Sequence, residues 1–279
     1  MVPGIRPGAA LHQKVYETAR QNGVGSGLEF LRPKTVEEAV ELLDHPSAAP
    51  VAGGTGFIGR PGVARLVDLT SLNLNYVEEK SDGFHVGATT TIAELEESRL
   101  ARMAGGYIQQ ACESLADTPL RHMITVGGNL ACGHPWAHLP PVLMTLGARA
   151  LIAGKRGREL TVYEIISAGL RKGEFIREIV VPKMPGRGVF KKFALTRTDY
   201  AAVSVAVYTD ELGRRVAIGG IVRPQRLGDL EGQIEVTPEL LNQTVDGLQP
   251  VPHVHFDPEY RKHVLKVLLK RAIAEAEAR

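Results

Sequence analysis

The sequence predicts an α+β chain of two or three subdomains, and three observations carry that prediction. Short apolar runs alternate with capped helical segments over the first two thirds of the chain. Proline and glycine then cluster at 182–188, and evenly spaced valines follow that cluster. At 279 residues the chain can bury a sizeable core but is long for one simple layer.

Residues 1–27 show no clear period and read as an N-terminal extension. Thr35 and Glu38 suggest a capping box ahead of Val36, Ala39, Val40 and Leu43, which share a helical face. Pro50-Val51-Ala52 is a short apolar stretch before the glycine turn Gly53-Gly54-Thr55-Gly56. Leu66-Val67-Asp68-Leu69 and Phe84-His85-Val86-Gly87 read as strands, and Thr91 with Glu94 opens another capped helix. A longer helical pattern leads to Leu115, Pro119 interrupts it, and a second glycine turn follows at Thr125-Val126-Gly127-Gly128-Asn129. Pro140-Pro141 precedes Val142-Leu143-Met144, then Ala150-Leu151-Ile152 and residues 176–181 read as strands.

Beyond the boundary, Val203, Val205 and Val207 alternate with small residues, and Val216 and Ile218 alternate again after a turn. This is an antiparallel hairpin. Residues 227–254 carry no readable pattern. A helix is expected over 257–279, with Tyr260, Val264, Val267 and Leu268 on its buried face. Arg261, Lys262, Lys266, Lys270 and Arg271 would form its wet face.

The composition, 44% hydrophobic and 23% charged, is that of an ordinary soluble globular protein. A net charge of +2 and 5% aromatic content give no case for nucleic acid. Arg6, Lys14, Glu17 and Arg20 break up the opening stretch, which is neither a signal peptide nor a membrane span, so a cytoplasmic location is expected. Two cysteines, Cys112 and Cys132, build neither a disulfide framework nor a four-cysteine iron–sulfur cluster; any such cluster belongs on another chain.

The two glycine turns carry most of the chemistry. Glycine permits positive φ and close approach of backbone to a ligand, so several N–H groups can converge on one anion. Two such turns far apart in sequence suggest a long diphosphate ligand gripped from two sides. The N–H groups of Gly53, Gly54, Gly127 and Gly128 are the expected donors, with the Thr55 and Thr125 hydroxyls beside them.

Other patterns compete. Residues 53–59 fit the G-x-x-G-x-x-G turn of short-chain dehydrogenases, nicotinamide enzymes, and Tyr76-x-x-x-Lys80 matches their catalytic spacing. A Rossmann turn must run straight into a helix, however, and Pro61-Gly62 arrives within its first turn. Asn75 and Ser81-Asp82-Gly83 make Tyr76 and Lys80 part of a loop. Cys132, His134 and His138 have a spacing that could ligate zinc, but three ligands do not complete a structural site, and a loop beside the ligand is the preferred reading.

One ordered set of segments runs through the chain: Phe30-Leu31-Arg32-Pro33, Ala52-Gly53-Gly54-Thr55, Val67-Asp68-Leu69, Val86-Gly87-Ala88-Thr89-Thr90-Thr91 and Thr125-Val126-Gly127-Gly128-Asn129. Pro140-Pro141-Val142-Leu143, Lys192 with Arg197-Thr198-Asp199-Tyr200-Ala201, and Tyr260-Arg261-Lys262-His263-Val264 complete it. The set resembles the FAD-binding subunit of molybdenum hydroxylases, such as the medium subunit of carbon monoxide dehydrogenase and the flavin domain of xanthine dehydrogenase. It covers about residues 30–276.

The resemblance implies FAD lying extended between two α/β subdomains of the PCMH type, within residues 28–182 and divided near 82. It also implies a C-terminal α+β domain over 183–279 with a three-stranded antiparallel sheet and helices. By the same resemblance Val51, Ala52, Gly53, Gly54, Thr55, Gly56 and Phe57 wrap the pyrophosphate and ribityl. Thr125, Val126, Gly127, Gly128 and Asn129 close on the same region, and Ile176 and Lys192 approach the flavin ring. His138 stands where the family usually carries Asp, replacing a pure acceptor with a group that accepts or donates, and Gly56 stands where relatives are often acidic.

Lys192 would favour the anionic reduced flavin, unless it is a solvated lysine of an edge strand at 190–192. Tyr200 is expected as a core tyrosine, with packing near the isoalloxazine as its alternative, and Trp136 as a lid or interface residue. The implied function is electron transfer in a hetero-oligomer, a heterotrimer. A small subunit with [2Fe-2S] clusters would deliver electrons, a large molybdopterin subunit would oxidise substrate, and this chain would pass electrons to NAD, oxygen or another acceptor. No catalytic residue and no metal ligand is expected in this chain. A flavin-free binding subunit and a nicotinamide reductase are the rival readings.

Overall fold

The computed structural model describes residues 28–56, 62–183 and 185–278. The extension expected over 1–27 lies outside them.

Three sheets follow one another along the chain. The first holds β1 (Glu29–Leu31), β2 (Ala48–Val51) and β3 (Arg65–Asp68), all parallel, with β3 in the middle. Helix α1 (Val36–Leu43) connects β1 to β2. The Thr35 hydroxyl accepts from the Glu38 N–H at 3.1 Å, while the Glu38 carboxylate reaches the Lys34 N–H at 2.6 Å, one residue before the N-cap. Ala39, Leu43, Ala48 and Val67 form a small core that is completed by Ala153 and Phe175 from the next sheet.

The second sheet holds β4 (Val77–Glu79), β5 (Phe84–Gly87), β6 (Arg149–Ala153), β7 (Arg158–Thr161) and β8 (Phe175–Val181) in the order β4-β5-β8-β6-β7, antiparallel throughout. Its helices are α2 (Ile92–Glu97), α3 (Arg99–Glu113), α4 (Thr118–Arg121), α5 (Val126–Ala131), α6 (Leu139–Thr145) and α7 (Val162–Ala168). Capping boxes open α2 at Thr91 and α7 at Thr161. The backbone of α3 leaves the helical region at Met103, and Ala104, Gly105 and Gly106 have positive φ. Pro119 starts α4 behind its N-cap Asp117 instead of merely ending the helix before it. The second glycine segment is also a helix start rather than a free turn, with Thr125 as the N-cap of α5.

The third sheet holds β9 (Arg187–Phe193), β10 (Val203–Asp210), β11 (Gly213–Gly219) and β12 (Gln225–Arg226) in the order β12-β11-β10-β9, antiparallel. Four strands therefore replace the three expected. Strand β12 has two residues, too few to show a period of two. Val203, Val205 and Val207 pack with the final helix, α9 (Pro258–Glu277), while Ala206 and Tyr208 on the other face join the core of the second sheet. The alternation separates two cores, not core from water.

Helix α9 is turned from the expected face. Arg261, Leu265, Leu269, Ala272, Ile273 and Ala276 are buried, and Tyr260 is exposed. A nine-residue helix, α8 (Pro238–Asp246), occupies the segment that had no readable pattern. Arg261, expected on the wet face, is fully buried. Its guanidinium donates to the carbonyls of Ala202 (3.2 Å), Val251 (2.6 Å) and Gly220 (2.8 Å). Three peptide oxygens take the place of water around the cation, and burial holds its pKa below the usual arginine value.

Arg261→Ala strands those carbonyls and is expected to cost about 3 kcal/mol or more, against less than about 0.5 kcal/mol for Lys270→Ala on the exposed side of the same helix. Urea unfolding of the two variants checks this; equal effects would show that the three carbonyl bonds contribute nothing.

Candidate functional site

Val51 ends β2 at the edge of the first sheet, and the chain turns there through Gly53, Gly54, Thr55 and Gly56. This segment lies against the second lobe. A Cβ on Gly53 would fall 1.6 Å from the Met123 carbonyl oxygen, and one on Gly56 would fall 2.6 Å from Cys132 Sγ. Gly54 has φ of +74° with open space around it. Gly53 is glycine for closeness and Gly54 for conformation. Phe57 lies outside the described residues.

A cleft of about 320 Å³ opens between this turn and α5, within the range of cofactor sites. Val51, Ala52, Gly53, Gly54, Thr55 and Gly56 line one wall, and Thr125, Gly127, Gly128 and Asn129 line the other. His138 and Ile176 line it as well; Val126 is buried behind the wall. Leu69, Leu115, Leu120, Ile124, Leu170 and Phe175 supply apolar surface. None of the described lining residues is lysine or arginine, so any anion here would be held by neutral donors, peptide N–H groups among them.

The two segments differ in what they can offer. The N–H groups of Gly53, Gly54, Thr55 and Gly56 have no acceptor among the described residues. In the second segment the Val126 N–H donates to the Thr90 carbonyl, Gly127 to Ala88, Gly128 to Thr125 Oγ1 and Asn129 to the Thr125 carbonyl. The Gly127 and Gly128 amides, expected as phosphate donors, are therefore already engaged inside the protein. These glycines serve closeness instead: a Cβ on Gly127 would meet Ala88 at 2.7 Å, and one on Gly128 the Thr125 hydroxyl at 2.8 Å. The second wall includes Asn129, whose Oδ1 is buried and has no hydrogen-bond partner among the described residues.

His138 is buried, with Nδ1 3.2 Å from Ser114 Oγ and 3.4 Å from the Ala111 carbonyl. Burial, and secondly the positive charge of Lys192, push its pKa down to about 3, so the ring is neutral at ordinary pH. The Lys192 ammonium donates to the carbonyls of Ser114 at 2.6 Å and Asp199 at 2.9 Å and does not itself line the cleft. Burial lowers its pKa to about 8, Asp199 opposing and Arg197 reinforcing the shift.

Tyr200 is 67% exposed rather than in the core, and it sits at the cleft mouth with its ring 5.1 Å from that of Trp136. Trp136 stacks in turn on His134 at 4.8 Å. The sequence singled out Trp136 and Tyr200 separately, and Thr198 and Asp199 only as part of the ordered set; their meeting in one wall had no local signal. Cys132, His134 and His138 do not assemble: among the described residues no three His, Cys, Asp or Glu groups could hold a metal ion. Tyr76 and Lys80 lie away from the cleft, with the Tyr76 hydroxyl donating to Glu178 at 2.6 Å.

A family profile described as FAD binding domain in molybdopterin dehydrogenase matches residues 26–184, more than half of the chain. The chain belongs to that family. It is similar to the 6-hydroxypseudooxynicotine dehydrogenase complex subunit alpha of Paenarthrobacter nicotinovorans, at 29% identity over 89% of this chain and 94% of the relative. The carbon monoxide dehydrogenase medium chain of Afipia carboxidovorans is 26% identical over 92% of this chain and 99% of that one. Reconstituted CO dehydrogenase from Oligotropha carboxidovorans matches in structure with a TM-score of 0.81 at 26% identity, over 91% of this chain and 99% of that one. The cleft thus belongs to an FAD-binding subunit of the molybdenum hydroxylase family, an oxidoreductase component. No helix among the described residues is long and apolar enough to cross a membrane.

Gly54→Ala is expected to cost about 1–2 kcal/mol from left-handed strain, and Gly53→Ala to lower Tm further because backbone must move. Thermal melts of the two variants separate these causes.

His138 binds fewer protons folded than unfolded below about pH 6.5, its unperturbed value, so its contribution to stability is present above that pH and is lost as pH falls toward 3. His138→Gln is expected to flatten the stability profile between about pH 6 and 4 by up to about 1.4 kcal/mol per pH unit. Unfolding curves at several pH values measure the difference, and parallel profiles would refute it.

Proposed function

We propose that this chain carries FAD as the electron-transfer subunit of a molybdopterin-dependent hydroxylase or dehydrogenase. In this reading it takes electrons from a small [2Fe-2S] subunit and passes them to NAD, oxygen or another acceptor. The observation that carries the reading is one cleft walled by both glycine segments, where, among the described residues, four N–H groups on one side have no acceptor and an amide oxygen on the other has no donor. When bound, the flavin supplies redox chemistry that accepts single electrons and releases them in pairs.

The chain's own residues hold and orient. Gly53, Gly54, Thr55 and Gly56 would face the diphosphate, with left-handed Gly54 aligning neighbouring amides as in an anion-binding nest. Asn129 would accept a ligand hydroxyl or amine. Leu115, Ile124, Phe175 and Ile176 would exclude water from the planar rings, and Trp136 and Tyr200 would cover the open end. Neutral His138 keeps a positive charge out of the wall.

The two N-terminal sheets would form the PCMH-type cradle within residues 28–182, divided near 82, and residues 183–279 the third domain. The relatives' description as a medium chain and a complex subunit supports a hetero-oligomer with a large molybdopterin-binding subunit and a small iron–sulfur subunit, and a cytoplasmic heterotrimer is the proposed form.

The purified chain, alone and with its partners, is expected to show flavin absorption that survives gel filtration or returns on adding FAD. Gly54→Val and Gly128→Val should both lose it, the first by blocking the turn and the second by displacing the Thr125 hydroxyl. A colourless assembly that cannot be reconstituted would instead establish a flavin-free structural subunit.

A further inference from the structure

The loop after β9 carries Tyr200 to the cleft mouth, yet among the described residues its own backbone N–H bonds reach only the loop itself and the end of β9. The Asp199 N–H donates to the Thr196 carbonyl, and the Ala202 N–H to the Phe193 carbonyl. Most of the loop is exposed, including Leu195 and Tyr200. The polar link from this loop to the second lobe, among the described residues, is the Lys192 ammonium. It donates to Asp199 on the loop and to Ser114 beyond the end of α3. Ser114 in turn bonds His138 through its hydroxyl, and its neighbours Leu115 and Ala116 line the cleft. One side chain therefore joins two segments that flank the cleft and come from different regions of the sequence.

We propose that Lys192 is a positioning residue that, by bridging the Ser114 and Asp199 carbonyls, fixes the loop carrying Tyr200 against Trp136 at the mouth of the cleft. Two of its three N–H donors go to those carbonyls and it does not line the cleft, so its influence on a ligand is indirect, through the placement of the loop. A methionine thioether chain matches the length of the lysine stem but supplies no donor. A guanidinium supplies donors that can span two oxygens. The geometry stands on its own; its importance for cofactor retention rests on the flavoprotein reading above.

The chain contains its own reporter, because Trp136 is its one tryptophan. In the full chain without added FAD, Lys192→Met is expected to red-shift Trp136 emission and raise its quenching by acrylamide toward the values of Tyr200→Ala. Lys192→Arg should restore values near those of the unsubstituted chain. Where FAD binds, Lys192→Met should weaken it about tenfold, the order expected for one charge-assisted hydrogen bond, and Lys192→Arg should recover most of that loss.

Unchanged emission and quenching in Lys192→Met overturn the proposal, as does an equal change in Lys192→Arg. If Lys192→Met does not fold by circular dichroism, Lys192→Gln, whose shorter amide does not reach both carbonyls, gives the same readout. Failure of the unsubstituted chain to bind FAD would instead count against the flavoprotein reading and leave the tryptophan measurement interpretable.

Discussion

The close approach of Gly53 to the Met123 carbonyl governs much of what the cleft can do, since no Cβ fits between them. It brings the end of a parallel sheet against the segment leading into α5 and so makes one wall face the other. Gly127 against Ala88 repeats the device within the second lobe, where space is again reserved for backbone. Steric reservation of this kind sets the distance between walls, and hydrogen bonding then decides what each wall presents. On the first wall the amides find no acceptor among the described residues. On the second they are consumed by Ala88, Thr90 and Thr125, and a side-chain amide becomes the polar contribution.

Local patterns made much of this legible. Thr91 with Glu94 fixes a helix start through contacts within four residues, and β5 and the β10–β11 hairpin show their extended runs directly. The glycine pairs announced tight backbone, and the structure places both in one cleft. Their reason was only partly readable, because a glycine needed for positive φ and one needed for contact with a distant carbonyl look alike in sequence. Thr125 three residues before Gly128 did contain the signature of an N-cap. The reading as a glycine turn overlooked it because it assigned the Gly127 and Gly128 amides to a ligand, whereas Ala88 and Thr125 accept them.

The basic residues show the same limit from the other side. Arg261 sits among lysines and arginines in a helix that ends in alanine and glutamate, and residue type alone assigns it to solvent. Its burial depends on the carbonyls of Ala202, Gly220 and Val251 meeting at one point, which only the tertiary fold arranges. Lys192 follows the same logic with two carbonyls. In both cases a cation is held by peptide oxygens rather than by a carboxylate, so charge is solvated by the chain itself. Tyr200 errs in the opposite direction, for its position at the start of a valine-rich strand suggested a core that the loop in fact leaves.

The first sheet is only three short strands under one helix, and Ala153 and Phe175 from the neighbouring sheet finish its interior. So few strands retain little independent stability. Peeling this lobe away would dismantle the amide-bearing wall and expose the borrowed interior in a single event. Its folding free energy and the tenacity of its guest are therefore thermodynamically linked, each saturating ligand lending the lobe the rigidity that its own modest interior does not supply.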